Sequence, residues 1–137
     1  MQVLQKFLRF VKIEHTLFSL PLIFSGVFLA SKELPSPAML GLILMAATGA
    51  RTAALALNRL IDREIDKRNP RTAVRELPSG RMNVSEAIGV LLIGIALYLG
   101  SAALISTFCL VLSPLPLLVF TIYPYMKRFT ALAHFGV

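Results

Sequence analysis

Four long apolar runs, at residues 16–31, 37–57, 84–106 and 108–123, limit what this chain can become. Each approaches the roughly 20 residues that an α-helix needs to cross the hydrocarbon of a bilayer. Of the 137 residues, 56% are hydrophobic and only 15% charged, and the mean hydropathy is +0.74, far more apolar surface than a soluble domain of this size can use. The expected fold is an all-α integral membrane bundle with four transmembrane helices. The first run is followed by further spans, and Ser31-Lys-Glu-Leu-Pro35 lacks a small-x-small cleavage pattern, so that run reads as a retained span and not a signal peptide.

Charge is sorted by side. A net charge of +7 would point to nucleic acid in a soluble protein, but here Lys6, Arg9 and Lys12 precede the first run and seven cations lie between Arg59 and Arg81. Lys127 and Arg128 follow the fourth run, and only Lys32 falls in a loop of the other set. By the positive-inside rule the N-terminus, the 58–83 segment and the end of the fourth run face the cytoplasm, which places the protein in the inner (cytoplasmic) membrane with no nucleic-acid partner. Residues 2–14 alternate apolar and basic positions, with Val3, Leu4, Phe7, Leu8, Phe10 and Val11 opposing Lys6, Arg9 and Lys12, as in a helix lying in the interface. The single cysteine, Cys109, lies in an apolar run, reads as packing and leaves no internal disulfide to form.

Where the second run ends, the sequence Asn58-Arg-Leu-Ile-Asp62-Arg-Glu-Ile-Asp66-Lys-Arg-Asn-Pro70 turns from apolar to charged. Asn58, Asp62 and Asp66 recur every fourth residue and so share one helix face. Like charges at i, i+4 repel by a few tenths of a kcal/mol in an exposed helix, so a cation is expected between the aspartates. Mg²⁺ suits such donors, because it takes one or two carboxylates, keeps waters and completes its shell with phosphate oxygens. A charged turn after an apolar helix is by itself only a solvated flank. Here the asparagine in register, the cationic segment and Arg51, two turns upstream inside the apolar run, favour a diphosphate site.

Pro70, Pro78 and Gly80 punctuate a cationic loop whose Arg71 and Arg75 can reach back over the aspartates and bind phosphate. The alternative is a loop that is merely positive-inside. Small residues around Arg51, and Gly89, Gly94 and Gly100 in the third run, permit close helix packing. Pro21 falls one turn into the first run, where it is expected to kink the helix, and Asn83 or Ser85 is expected to cap the third. Tyr123 and Lys127 read either as an interfacial belt with a snorkelling lysine or as part of the same site. His15 reads as an interfacial or capping histidine, or as a substrate contact.

The ordered set Arg51, Asn58-x3-Asp62-x3-Asp66, Asn69-Pro-Arg71, Arg75-x-Leu-Pro-x-Gly80 and Tyr123-x3-Lys127 resembles the N-terminal half of the UbiA-type intramembrane aromatic prenyltransferases, particularly 4-hydroxybenzoate polyprenyltransferases. The wording from Asn58 to Thr72 is similar to the branch associated with menaquinone made through futalosine. The resemblance implies the first four spans of a bundle of about nine, with a cavity open to the cytoplasm and to lipid. It implies Mg²⁺-dependent transfer of a polyprenyl group from its diphosphate to a hydroxylated aromatic acid, of 4-hydroxybenzoate or 1,4-dihydroxy-6-naphthoate type, in ubiquinone or menaquinone biosynthesis. Asp62, Asp66 and Asn58 would hold Mg²⁺, Arg71, Arg75 and Lys127 the diphosphate, and Tyr123 would either face the allylic cation or hydrogen-bond the diphosphate. Arg51, Lys12 and His15 are the cations available to the acceptor carboxylate.

The family carries a second aspartate motif in its other half. This sequence holds only the first, so the chain is expected to be truncated at its C-terminus and inactive alone. Two other classes stay open. CDP-alcohol phosphotransferases also place aspartates at i, i+4, but their upstream Asp-Gly is absent here and Gly49-Ala-Arg51 is only a partial echo. A non-catalytic scaffold docking anionic lipid would need no aspartates in register.

Overall fold

The computed structural model describes residues 1–31 and 33–129; Lys32, expected in the outer loop, and the stretch at 130–137 lie outside the described residues. All regular structure described is helical: α1 (Gln2–Val11), α2 (Ile13–Ala30), α3 (Pro37–Ile61), α4 (Arg63–Arg68), α5 (Val84–Ile105), α6 (Thr107–Leu112) and α7 (Pro114–Phe129). Among the described residues, three segments are long and apolar enough to cross a membrane: α3, α5, and α6 with α7 together. The α1–α2 pair, bent by 47°, makes a fourth if it counts as one span.

Local chemistry sets these boundaries. Ser36 caps α3 by accepting the Met39 N–H at 3.2 Å, and Pro37 occupies the first turn, where its missing donor does no harm. Asn83 and Glu86 open α5 as a capping box, the Glu86 carboxylate accepting the Asn83 N–H at 2.8 Å. The helix expected over 2–14 ends at Val11, because Lys12 takes a left-handed conformation (φ 48°, ψ 60°) and its N–H turns back to the Arg9 and Leu8 carbonyls. Pro21 leaves α2 continuous, so the bend falls at Lys12 and not at the proline.

The α3–α5 pair is the spine of the bundle. At its crossing Gly49 and Gly94 bring two backbones together: a Cβ on Gly49 would lie 2.6 Å from the Tyr98 nitrogen, and one on Gly94 2.8 Å from the Ala53 nitrogen. Ala53, Ala56, Ala87 and Ala102 are buried along the same seam, the small-residue packing that lets helices associate without a hydrophobic drive between them. Gly89 and Gly100, expected to serve the same purpose, make no such contact among the described residues, where a Cβ at either position would meet nothing within 4 Å.

A second cluster sits where α3 ends. Phe10, Ala56, Leu77, Met82, Ala87 and Val90 close around one another, so that α1, α3, the 69–83 segment and α5 share one core. That segment is a run of tight turns: Ala73 and Ser79 each donate their N–H to a carbonyl four residues back, and Met82 N–H reaches Glu76 O at 3.0 Å. Gly80 supplies the positive φ (77°) this requires, and Leu77 and Met82 anchor the turns in the core. The cationic loop is therefore a folded knot with its arginines at fixed positions.

Candidate functional site

Helix α3 does not run smoothly into α4. Asp62 marks the break (φ −88°, ψ 2°), although its N–H still donates to the Asn58 carbonyl and its own carbonyl accepts from Asp66, so the three comb residues remain consecutive turns of one path. Asp62 and Asp66 are only 4% and 7% exposed, too buried for a solvated flank. Glu64, between them, points into solvent and is held by Arg63 and Lys67; the hydrogen bond from Arg63 keeps its carboxyl below the usual carboxylate range.

Each buried carboxylate has at least one basic partner. Helix α7 continues beyond Tyr123, through a buried Pro124, to Phe129, and so returns Lys127 and Arg128 to the end of α3. The Lys127 ammonium donates to Asn58 Oδ1 at 2.9 Å and to Asp62 Oδ2. Arg128 donates to Asp62 Oδ1 at 3.0 Å and to the Ile61 carbonyl at 2.8 Å. Arg75 reaches back from the turns to Asp66 Oδ2 at 3.0 Å, while the Thr72 hydroxyl donates to the Asp66 carbonyl at 2.9 Å.

The knot that carries Arg75 is fixed by a pair that sequence reasoning passed over. Arg59, 4% exposed, bonds Glu76 at 3.0 Å, and its guanidinium lies 4.7 Å from the centre of the Phe10 ring. Glu76 is the lone acid among residues 69–83, and that was the available signal. In the sequence Arg128 speaks only to topology, because nothing local shows that α7 extends far enough to bring it back.

The expected site residues thus fall into groups. Asn58, Asp62 and Lys127 converge, and Asp66 and Arg75 meet beside them. Arg71 lies exposed on the same turns, its N–H held by Asn69 Oδ1 at 3.1 Å. Tyr123 is half-buried one turn before Lys127. Arg51 lies deeper, where its guanidinium donates to Ser19 of α2 at 2.8 Å while its buried Nε has no partner among the described residues. Lys12 and His15 line a different cavity, with Glu76, beside α1.

Two carboxylates and an amide oxygen form a hard-oxygen donor set of the kind Mg²⁺ takes. No cluster of three His, Cys, Asp or Glu stands ready among the described residues. Were Asp62, Asp66 and Asn58 to hold such an ion, most of its shell would fall to waters and phosphate oxygens. Lys127 already places a positive charge against Asn58 and Asp62.

Residues 19–137 match the model of the UbiA prenyltransferase family. The chain belongs to that family. It is 41% identical to a UbiA homolog from Aeropyrum pernix K1 whose apo structure is known, with a TM-score of 0.84 over 90% of this chain and 45% of that one. It is also 31% identical to the 4-hydroxybenzoate octaprenyltransferases of Burkholderia pseudomallei (96% of this chain, 47% of that protein) and Photobacterium profundum (78% and 37%). The chain thus spans about half the length, or less, of the relatives it matches. As a UbiA-family chain with this fold and these apolar helices, it is an all-α, multi-pass membrane protein.

Proposed function

We propose that this chain supplies the first diphosphate-binding half of an enzyme that moves a polyprenyl group from its diphosphate to a hydroxylated aromatic acid in ubiquinone or menaquinone biosynthesis. The acceptor is of the 4-hydroxybenzoate or 1,4-dihydroxy-6-naphthoate type. The observation that carries this reading is the convergence of Asn58, Asp62 and Lys127, with Asp66 and Arg75 alongside, at the end of a membrane-spanning helix. The family and the names of its octaprenyltransferase members support it.

In this reading Asp62 and Asp66, with Asn58, hold Mg²⁺, which when bound neutralises charge on the departing diphosphate. Lys127, Arg75 and Arg71 turn their donors to the diphosphate oxygens, an exchange that needs short side-chain movements because Lys127 and Arg75 are each about one-third exposed. The allylic carbon–oxygen bond breaks and its electron pair leaves with the diphosphate. A ring carbon of the acceptor forms the new carbon–carbon bond and then loses its proton. Tyr123, one turn before Lys127, is assigned to the allylic carbon, where a π face stabilises positive charge. Arg51, whose buried Nε has no partner among the described residues, is assigned to the acceptor carboxylate.

A second aspartate motif, from the part of the family's length not spanned here, completes the site, which faces the cytoplasm of the inner membrane. The test offers radiolabelled polyprenyl diphosphate and CDP-lipid separately, with Mg²⁺, to the full-length protein carrying both aspartate motifs, and sets the two aromatic acids in competition. A prenylated aromatic acid, identified by mass, is expected. Turnover of CDP-lipid, or binding of neither donor, would sink the proposal.

A further inference from the structure

Two cavities adjoin on either side of α1. One, of about 530 Å³, is lined by Leu8, Arg9, Lys12 and His15 together with Glu14 and Glu76. Glu76 is neutralised by Arg59 at 3.0 Å, which leaves Arg9 and Lys12 against the single carboxylate of Glu14, so the cavity carries a net positive charge of about one. The other, of about 480 Å³, is an apolar groove between α1, α3 and α5 lined by Phe7, Leu8, Val11, Gly89, Val90 and Ile93. Leu8 belongs to both.

Neither half suits an ordinary soluble metabolite, but together they suit an anion with a hydrocarbon tail. Phe10 docks α1 against Arg59, close to where the α3 span ends, which puts the cationic cavity at headgroup depth and the groove beside the acyl chains. Val3 and Leu4 stay 65% and 63% exposed on α1, as expected of a helix bedded in the lipid boundary. Gly89 keeps the groove open, since a Cβ there would touch nothing within 4 Å. We propose that this two-part crevice binds an anionic glycerophospholipid of the surrounding leaflet, its phosphate between Arg9 and Lys12 and one acyl chain along the groove past Gly89. The site is separate from the Asp62 comb and does not depend on the reaction proposed above.

The test titrates the detergent-purified protein with spin-labelled phosphatidylglycerol and, separately, phosphatidylcholine. Saturable binding with a preference of about tenfold for phosphatidylglycerol is expected, a size that two membrane-proximal cations supply. Arg9→Gln combined with Lys12→Gln should abolish the preference. Gly89→Phe should weaken both lipids equally while leaving helicity and melting unchanged, because it fills open space. Equal binding of the two lipids by the unaltered protein, a preference that survives the double substitution, or a groove indifferent to Gly89→Phe would each overturn the proposal. So would competition by inorganic phosphate or polyprenyl diphosphate as effective as that by phosphatidylglycerol, which would leave a bare anion or the prenyl donor as the occupant.

Discussion

Arg128 and Asp62, 66 positions apart in the chain, meet at 3.0 Å, and the same guanidinium also takes the Ile61 carbonyl. One side chain thus satisfies both the last carbonyl of α3 and the carboxylate at the hinge. Arg128→Met should cost about 1–2 kcal/mol, less than a fully buried pair, because the arginine is itself partly exposed. Hydrogen exchange at the Asp66 amide, which donates to the Asp62 carbonyl at this hinge, should quicken. Unchanged protection there would show that Lys127 alone holds the hinge.

Arg59 and Glu76 should behave as a unit. Removing either partner alone, as Arg59→Met or Glu76→Gln, strands a buried charge or donor and should destabilise by about 3–5 kcal/mol. The double substitution should cost clearly less than the sum of the two. Additive losses in a thermal-melting cycle would contradict the coupling.

The α3–α5 crossing separates glycines that matter from those that do not. Gly49→Ala drives a Cβ into the Tyr98 backbone at 2.6 Å and should lower stability by about 1–3 kcal/mol. Gly100→Ala enters open space and should leave the melting temperature unchanged or slightly higher. Equal effects would mean that the two helices do not pack as described.

For the proposed reaction, chelating Mg²⁺ should abolish polyprenyl diphosphate binding measured by equilibrium dialysis. Asp62→Asn should reduce turnover by at least a hundredfold in a protein that still inserts in the membrane, as expected when a group stabilising the transition state is lost. Lys127→Met should raise KM for the donor by about tenfold, the scale of one charge-assisted hydrogen bond. Wild-type turnover in the Asp62 variant would refute the assignment.

Much of the site was legible because helical periodicity is local. A spacing of four residues placed Asn58, Asp62 and Asp66 on one face without knowledge of anything else, and the apolar runs demanded membrane helices by length alone. The expected resemblance to the UbiA family rested on the same local motifs, and the family match agrees with it. The knot at 69–83 was harder to read, since its order comes from Leu77 and Met82 finding a core built by α1 and α5, far away in sequence.

The sequence by itself determined the membrane-spanning helices, the charge comb and the chemical character of its donors, because these depend on residue type and on spacings of a few positions. Only the tertiary structure decided that Lys127 and Arg128 close on Asp62, that Arg75 takes Asp66, that Glu76 anchors the turns through Arg59, and that Gly49 and Gly94 rather than Gly89 and Gly100 form the crossing. Each of these pairs residues on separate elements, or on turns whose path is fixed by a distant core. Their meeting is set by where α7 ends, how α1 bends at Lys12 and how closely α3 and α5 approach, and those quantities follow from packing between segments rather than from any short stretch of chain.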